Sequence, residues 1–321
     1  MTAEPGSGAE TDADVEASAG TDMGTDTATD TPPAATDARI VTVQLTPEFG
    51  AVERNRNRTV ELVREHVDAD LIVFPELVTS GYVFESKTEV ASMAEPHDGE
   101  TSRAWSDVAA DTDTWIVGGV PEADGDAYYN SALVVSPSGV EAVYRKVHRW
   151  NEEHRWFEPG TDLAVVDTPF GRLGVQICND LWFPELTIAQ AHAGVDIIAV
   201  PTNWVPGTPD DAPTRPGGWT VGVHQALAHA NSNHVFVACA DRTGTERSVT
   251  FEGQSVILDP DGVPLAGPAP ATGEHELSAE CALERAREKN LTAYDDVLAS
   301  RRPAIYGTAQ RDEQGTDANT E

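Results

Sequence analysis

Apolar residues follow two rhythms along this chain. Ile40–Leu45 is a short run rich in β-branched residues, as expected of a strand. After it come Val52, Val60, Val63 and Val67 at helical spacing, and then the apolar run Leu71–Phe74. That order predicts a β-α-β opening. A second round places Trp105, Val108 and Ala109 on one helix face and Trp115–Val120 on a strand. Ser131–Val135 and Val140–Tyr144, joined across Pro137-Ser138-Gly139, predict a hairpin. Further strands are expected at Leu173–Cys178, Asp196–Val200, Val235–Ala240 and Ser255–Leu258, with helices near Pro184–Ala193 and Thr220–Ser232. Hairpins mixed with β-α units predict an α/β protein whose sheets are covered by helices.

The pattern is absent at both ends. Residues 1–37 are Thr, Asp, Ala and Gly with almost no large apolar side chain, and residues 308–321 read alike, so neither can bury enough surface to offset chain entropy. Both are expected to be disordered, leaving one globular unit over residues 38–307. The formal charge of -33 changes the picture further: 54 acidic residues face 21 basic ones, and only Lys87, Lys146 and Lys289 are lysines. The N-terminal segment holds nine of the acids, which leaves -24 on the remainder. Nucleic acid and anionic membrane are excluded as partners by such a field. Self-repulsion of this size is relieved when salt shortens the Debye length to about 3 Å at 1 M, so a halophilic protein is expected. Its melting temperature should rise between low and molar KCl, and a flat response would contradict that expectation. Three cysteines make no disulfide framework, and no basic flank precedes an apolar run near the N-terminus, which points to the cytoplasm. The histidines and cysteines show no metal-ligand spacing.

Three strand ends carry candidate chemistry. Gly174-Val175-Gln176-Ile177-Cys178 reads as a strand ending in a cysteine ahead of a helix start at Pro184-Glu185, a strand-turn-helix arrangement that can aim backbone N–H groups at an oxyanion. A small buried hydrophobe is the alternative, and the commoner one, for a cysteine at a strand end taken alone. Leu71-Ile72-Val73-Phe74-Pro75 sets Glu76 just past a buried strand, where partial desolvation makes a carboxylate a better base; a helix cap or surface acid is the alternative. Lys146 follows the strand Val140–Tyr144 in a chain that nearly avoids lysine, and its compact ammonium suits a single oxyanion better than a guanidinium would. A solvated lysine is the alternative there, and His148 is a second candidate base for Cys178.

Taken together, FPEL with Gly81-Tyr82, YRKVH at 144–148 and GVQICNDLWFPE at 174–185 resemble the nitrilase, or carbon-nitrogen hydrolase, superfamily. The resemblance extends through Tyr129-Asn130-Ser131-Ala132, Phe157-Glu158-Pro159-Gly160, Glu252-Gly253-Gln254-Ser255 and Arg301-Arg302-Pro303. It implies a four-layer α-β-β-α sandwich that assembles into homodimers or larger homo-oligomers. It also implies a cofactor-free hydrolase with Glu76 as base, Lys146 as oxyanion-stabilising cation and Cys178 as nucleophile. The family's second glutamate falls on Glu153, with Glu152 next to it as the fallback. The implied reaction cleaves a linear amide to a carboxylic acid and ammonia through a thioester, with the Asn179 backbone N–H sharing the oxyanion.

Departures from the family pattern bear on substrate. Asn179 and Trp182 replace the tyrosine and arginine of Cys-Tyr-Asp-x-Arg-Phe-Pro-Glu. Carbamoyl-amino-acid hydrolases carry an arginine pair where Leu181-Trp182 stand here, which argues against a carbamoylated α-amino acid. True nitrilases show Cys-Trp-Glu, which argues against a nitrile. A carbamoyl amine remains an alternative substrate, and a catalytically idle assembly member is the alternative of another class. The Pro- and Gly-rich stretch from Asn203-Trp204 to Trp219 is expected to be a loop, with Trp204 and Trp182 either walling a substrate pocket or simply tucked into the core.

Overall fold

The computed structural model describes residues 34–206 and 218–306. The acidic N-terminal segment up to residue 33, the C-terminal residues from 307 onward and the middle of the 203–219 loop lie outside these residues. The first strand begins at Asp37, and the Thr36 backbone N–H already donates to Phe170, so the folded unit starts slightly earlier than the composition suggests.

Two six-stranded mixed sheets form the centre. In the first, β1 (Asp37–Gln44), β2 (Leu71–Val73) and β3 (Trp115–Asp124) run parallel. β4 (Ala127–Ser136) and β5 (Gly139–Arg145) extend that sheet as hairpins. In the second, β6 (Ala164–Thr168) pairs antiparallel with β7 (Gly171–Val175), which runs parallel to β8 (Ile197–Pro201) and then β9 (Phe236–Ala240). A small ladder of β10 (Thr245–Glu246) and β11 (Val249–Thr250) precedes the outer strands β12 (Val256–Leu258) and β13 (Pro264–Ala266). The chain then returns, and β14 (His275–Ala282) closes the first sheet against β1. Each sheet therefore has the same sequence of pairings: antiparallel, parallel, parallel, antiparallel, antiparallel.

The strands are apolar on both faces because both faces are covered. Ile40, Leu71, Val73 and Val117 point to one layer and meet Leu173, Ile197, Ala199 and Phe236 from the other sheet. Their neighbours Val41, Ile72, Phe74 and Ile116 point outward onto Leu62 and Val63 of α1 (Val52–Glu65). They also meet Trp105 and Val108. Beyond α2 (Lys87–Met93), these two belong to α3 (Glu100–Thr112). On the second sheet, Ile198, Val200, Val237 and Cys239 face Val223, Ala226 and Ala230. Those side chains sit on α6 (Val221–Asn233), the last of the helices α4 (Glu153–Trp156), α5 (Pro184–His192) and α6. Period-two alternation thus sorts the side chains into three apolar layers, and the architecture is the expected α-β-β-α sandwich. Each fully buried Leu or Ile in them stabilises the fold by about 1.5–3 kcal/mol. No helix among the described residues is long and apolar enough to cross a membrane.

Two details differ from the pattern-based expectation. Val67, counted on the α1 stripe, lies past the helix end and is 60% exposed. The strand expected to run through Cys178 ends at Val175, and Cys178 instead opens a 3-10 turn over Cys178–Trp182. The apolar run looked continuous, yet Cys178 has φ 45°, a left-handed value that no strand contains.

Candidate active site

The β2 strand delivers Glu76 to the C-terminal edge of the first sheet through Phe74-Pro75. Its backbone fits there because Gly119 on β3 has no side chain: a Cβ at that position would come within 2.5 Å of the Glu76 Cα. The β5 strand delivers Lys146 beside it, and the Lys146 N–H donates to the Asn130 carbonyl at 2.8 Å, continuing the β4–β5 ladder by one residue. Glu153 arrives from the first turn of α4. These three meet without solvent: Lys146 Nζ donates to Glu76 Oε1 at 2.7 Å and to Glu153 Oε1 at 2.8 Å. Glu76 and the lysine side chain are fully buried, and Glu153 nearly so.

Such a cluster is expensive to bury, and its neighbours supply the compensating hydrogen bonds. Asn130 Nδ2 donates to Glu76 Oε1 at 2.6 Å, and the Tyr82 hydroxyl donates to Glu153 Oε1 at 2.6 Å. Tyr82 is itself held through its main chain, because Glu246 accepts its N–H at 2.8 Å while pairing with the buried Arg242 at 2.7 Å. Glu76 Oε2 is buried with no hydrogen-bond partner among the described residues.

Burial pushes the Glu76 carboxyl up to about 6; Lys146 opposes that rise and Glu153 adds to it. Burial alone would lower the Lys146 ammonium, but Glu153 and Glu76 outweigh it and hold the lysine charged, above its ordinary value. At neutral pH Glu76 is therefore a carboxylate beside a charged lysine.

Cys178 comes from the other sheet, three residues past β7. The turn that presents it is clamped by Asp180, whose fully buried carboxylate accepts the Ile177 N–H at 2.9 Å, the Tyr144 hydroxyl at 2.7 Å and the His148 N–H at 3.0 Å. Tyr144 belongs to the first sheet, so this one acid ties the cysteine turn to the lysine strand. Burial and the Glu76 charge raise the Cys178 thiol well above its ordinary range, while Lys146 and the Asn203 backbone N–H pull it down. The resting sulfur is accordingly a protonated thiol beside an ionised carboxylate, the starting arrangement for base-assisted thiol attack.

The remaining sequence candidates find distinct places. Glu153, not its neighbour, is in the cluster; Glu152 pairs with Arg155 at the surface at 2.6 Å. His148, the second candidate base, has its Nδ1 2.9 Å from Asp180 and its ring stacked on Phe183 at 3.7 Å. Asn203 donates through Nδ2 to the Glu76 carbonyl at 2.8 Å, joining the strand ends of the two sheets. The Asn179 side chain donates to the His148 and Arg149 carbonyls at 3.0 and 3.2 Å. Trp182 and Trp204 both line a cavity of about 130 Å³ beside Cys178, together with Trp150, Val221, Gln225 and Glu252. The choice between pocket wall and core was a false one for Trp204, which is 7% exposed, packs in the outer core and lines the cavity. Trp182 is 56% exposed.

Tyr82, Asn130 and Asp180 carried no assigned role in the sequence, although each stood inside a quoted motif. Asn130 had one readable signal: it opens the buried part of β4 with a polar side chain, ahead of the apolar run Ala132–Val135.

The profile of the carbon-nitrogen hydrolase family matches residues 39–290. A nitrilase of Pyrococcus abyssi is 38% identical over 84% of this chain and 98% of its own length. An (R)-stereoselective amidase of a Pseudomonas species is 33% identical over 70% of this chain and 78% of its own. Among solved structures, Saccharomyces cerevisiae Nit3, a member of branch 10 of the nitrilase superfamily, superposes with a TM-score of 0.68 at 26% identity, covering 78% of this chain and 92% of that one. The chain therefore belongs to the carbon-nitrogen hydrolase family, and it is a hydrolase of carbon-nitrogen bonds.

Proposed function

We propose that the enzyme hydrolyses small linear amides to a carboxylic acid and ammonia through a thioester on Cys178. The observation that carries this reading is the buried Glu76–Lys146–Glu153 cluster, with Glu76 Oε2 left unpartnered and the Glu76 charge acting on the half-buried Cys178. Glu76 takes the thiol proton as the sulfur attacks the amide carbon. The carbonyl oxygen becomes anionic and meets Lys146, whose ammonium has three donors and gives two of them to the carboxylates. The Asn179 backbone N–H is the second oxyanion donor. Each such donor is worth on the order of 100-fold or more in rate when water is excluded.

Collapse of the tetrahedral species expels ammonia, which leaves with the proton Glu76 had taken. Glu76, ionised again, removes a proton from water, the hydroxide adds to the thioester, and the second collapse releases the acid and restores the thiol. Every step returns to the same carboxylate, which is why a value close to neutrality suits it: a base poised near the working pH can both accept and return a proton. Glu153, fixed by Tyr82, keeps Lys146 in place and charged.

The test is ammonia release from a panel of acetamide, propionamide and butyramide, with the matching nitriles and a carbamoyl amine alongside. A mass increase on Cys178 equal to the acyl group supports the thioester, and release of carbon dioxide marks the carbamoyl alternative. On the same assay, kcat/KM should rise with pH through about 6 as Glu76 ionises. Asn130→Ala removes a donor that holds the Glu76 carboxylate down, so its acid limb should move to higher pH. A limb unchanged in that variant contradicts Glu76 as the titrating base.

A further inference from the structure

We infer that Gly222 sets the length of acyl chain the enzyme accepts, by letting the Trp204 indole seat against helix α6. This rests on the amidase reading above and goes beyond it by naming the acyl class: short, uncharged and apolar.

The acyl group of a bound amide must lie next to Cys178, and the cavity of about 130 Å³ beside that residue is where it can lie. An apolar cavity of about 150 Å³ admits benzene, so this one suits a chain of a few carbons. None of its described lining residues is basic and Glu252 is acidic, so a carboxylate tail finds no cationic partner on that lining. The apolar side is formed by Trp150, Trp182, Trp204, Val205 and Val221.

Trp204 is the fixed part of that wall. Its backbone N–H donates to Asp241 Oδ1 at 2.9 Å, and its carbonyl accepts the Glu252 N–H at 2.8 Å. Asp241 is fully buried, so the anchor does not swing with solvent. With the main chain held on both sides, the indole packs with Leu181, Val223 and Ala226 in the outer core, against which Cys178 also packs.

Gly222 is what the ring lies on. A Cβ at Gly222 would stand 2.1 Å from Trp204 Cε2 and 2.4 Å from Cδ2 and Nε1, where ordinary contact begins near 3.5 Å. Glycine is a poorer helix residue than alanine, yet it occupies the second position of α6, just after the Thr220 cap that accepts the Val223 N–H. The close approach of the indole supplies a reason. Gly222 and Trp204 both line the cavity, so an added methyl and a displaced ring take volume from the same space.

The experiment measures kcat/KM for acetamide, propionamide, butyramide and hexanamide in the wild type, Gly222→Ala, Trp204→Leu and the double variant, with a melting curve for each. In Gly222→Ala the butyramide-to-acetamide ratio should fall at least about tenfold, since one methylene in an apolar pocket discriminates by about 10- to 200-fold. In Trp204→Leu the preference should move toward hexanamide. In the double variant the alanine should lose most of its effect on the ratio, because the ring it strikes is gone.

An unchanged ratio in folded Gly222→Ala, or an equal fall in the Trp204→Leu background, overturns the inference. If Gly222→Ala does not fold, Trp204→Leu decides alone, and no gain on hexanamide overturns it. A wild type that releases ammonia from no amide sinks the amidase reading and this inference with it, whereas a wild type that does so with unmoved ratios sinks only the latter.

Discussion

Cys178→Ala should abolish amide hydrolysis, lowering kcat by about 10⁴-fold or more, while the melting temperature stays within a few degrees of the wild type. Loss of a catalytic nucleophile in a concerted set removes nearly all of the covalent route, and only background rates survive. The fold should tolerate the change for reasons visible in the turn. The clamp on that turn is made by Asp180 to Ile177, Tyr144 and His148, through hydrogen bonds that do not involve the sulfur. What alanine removes is a thiol whose ionisation burial and Glu76 already oppose. Cys178 sits at φ 45°, a strain that alanine bears equally, so the backbone has no new reason to move. Ammonia release undiminished in this variant would remove Cys178 from the mechanism, and a collapsed melting temperature would make its role structural.

The second large effect is expected at Lys146. Lys146→Met should remove activity by at least about 100-fold through loss of an oxyanion donor. It should also destabilise the protein by about 3–5 kcal/mol near neutral pH, because the carboxylates of Glu76 and Glu153 are left buried without their cation. The two effects separate in a second variant. Lys146→Met with Glu153→Gln removes one of the charges left facing the other, so it should recover part of the stability while remaining inactive.

The pH dependence of the stability loss has a definite sign. Lys146 lowers the Glu76 carboxyl in the wild type, so its removal raises that group further above the 4.5 of an unperturbed glutamate. A group whose folded value is raised binds more protons folded than unfolded; its stabilising contribution is present at low pH and lost as pH rises through the folded value. The deficit of Lys146→Met relative to the wild type should thus be small below about pH 4.5 and grow above about 6, as denaturant melts at several pH values would read. A deficit that does not vary with pH would mean that the lysine stem, not its charge, stabilises the site.

Much of the molecule was legible because strands and helices answer to local rules. Period-two and period-3.6 patterns located the strands around Ile40, Leu71, Trp115, Ile197, Phe236 and Val256 and the helices carrying Leu62, Trp105 and Ala226. They missed β6 and β14, whose exposed faces mix polar residues into the run. They also carried the β7 strand too far. Gln176-Ile177-Cys178 reads as more strand because nothing in a sequence marks a left-handed φ on a residue other than glycine. The turn that carries that value is held by Asp180, which accepts the Ile177 N–H and the hydroxyl of Tyr144 on the other sheet.

The sequence by itself determined most of the strands and helices and the strand ends at which Glu76 and Lys146 stand, since each depends on a dozen neighbouring residues or fewer; the four layers came from the family resemblance. It also singled out Lys146 by rarity, and the family resemblance narrowed the second glutamate to Glu153 or Glu152. The tertiary structure decided what those residues meet. Lys146 reaches Glu76 across 70 positions of chain, and Asn203 reaches the Glu76 carbonyl across 127. The choice of Glu153 over Glu152, the Tyr82 and Asn130 contacts, and the seating of Trp204 on Gly222 are of the same kind. Which side chains converge is fixed by how two sheets pack face to face, and burial then turns that convergence into chemistry. Removing water from Glu76 is what lifts its carboxyl to about 6, and no count of residues along the chain records that removal.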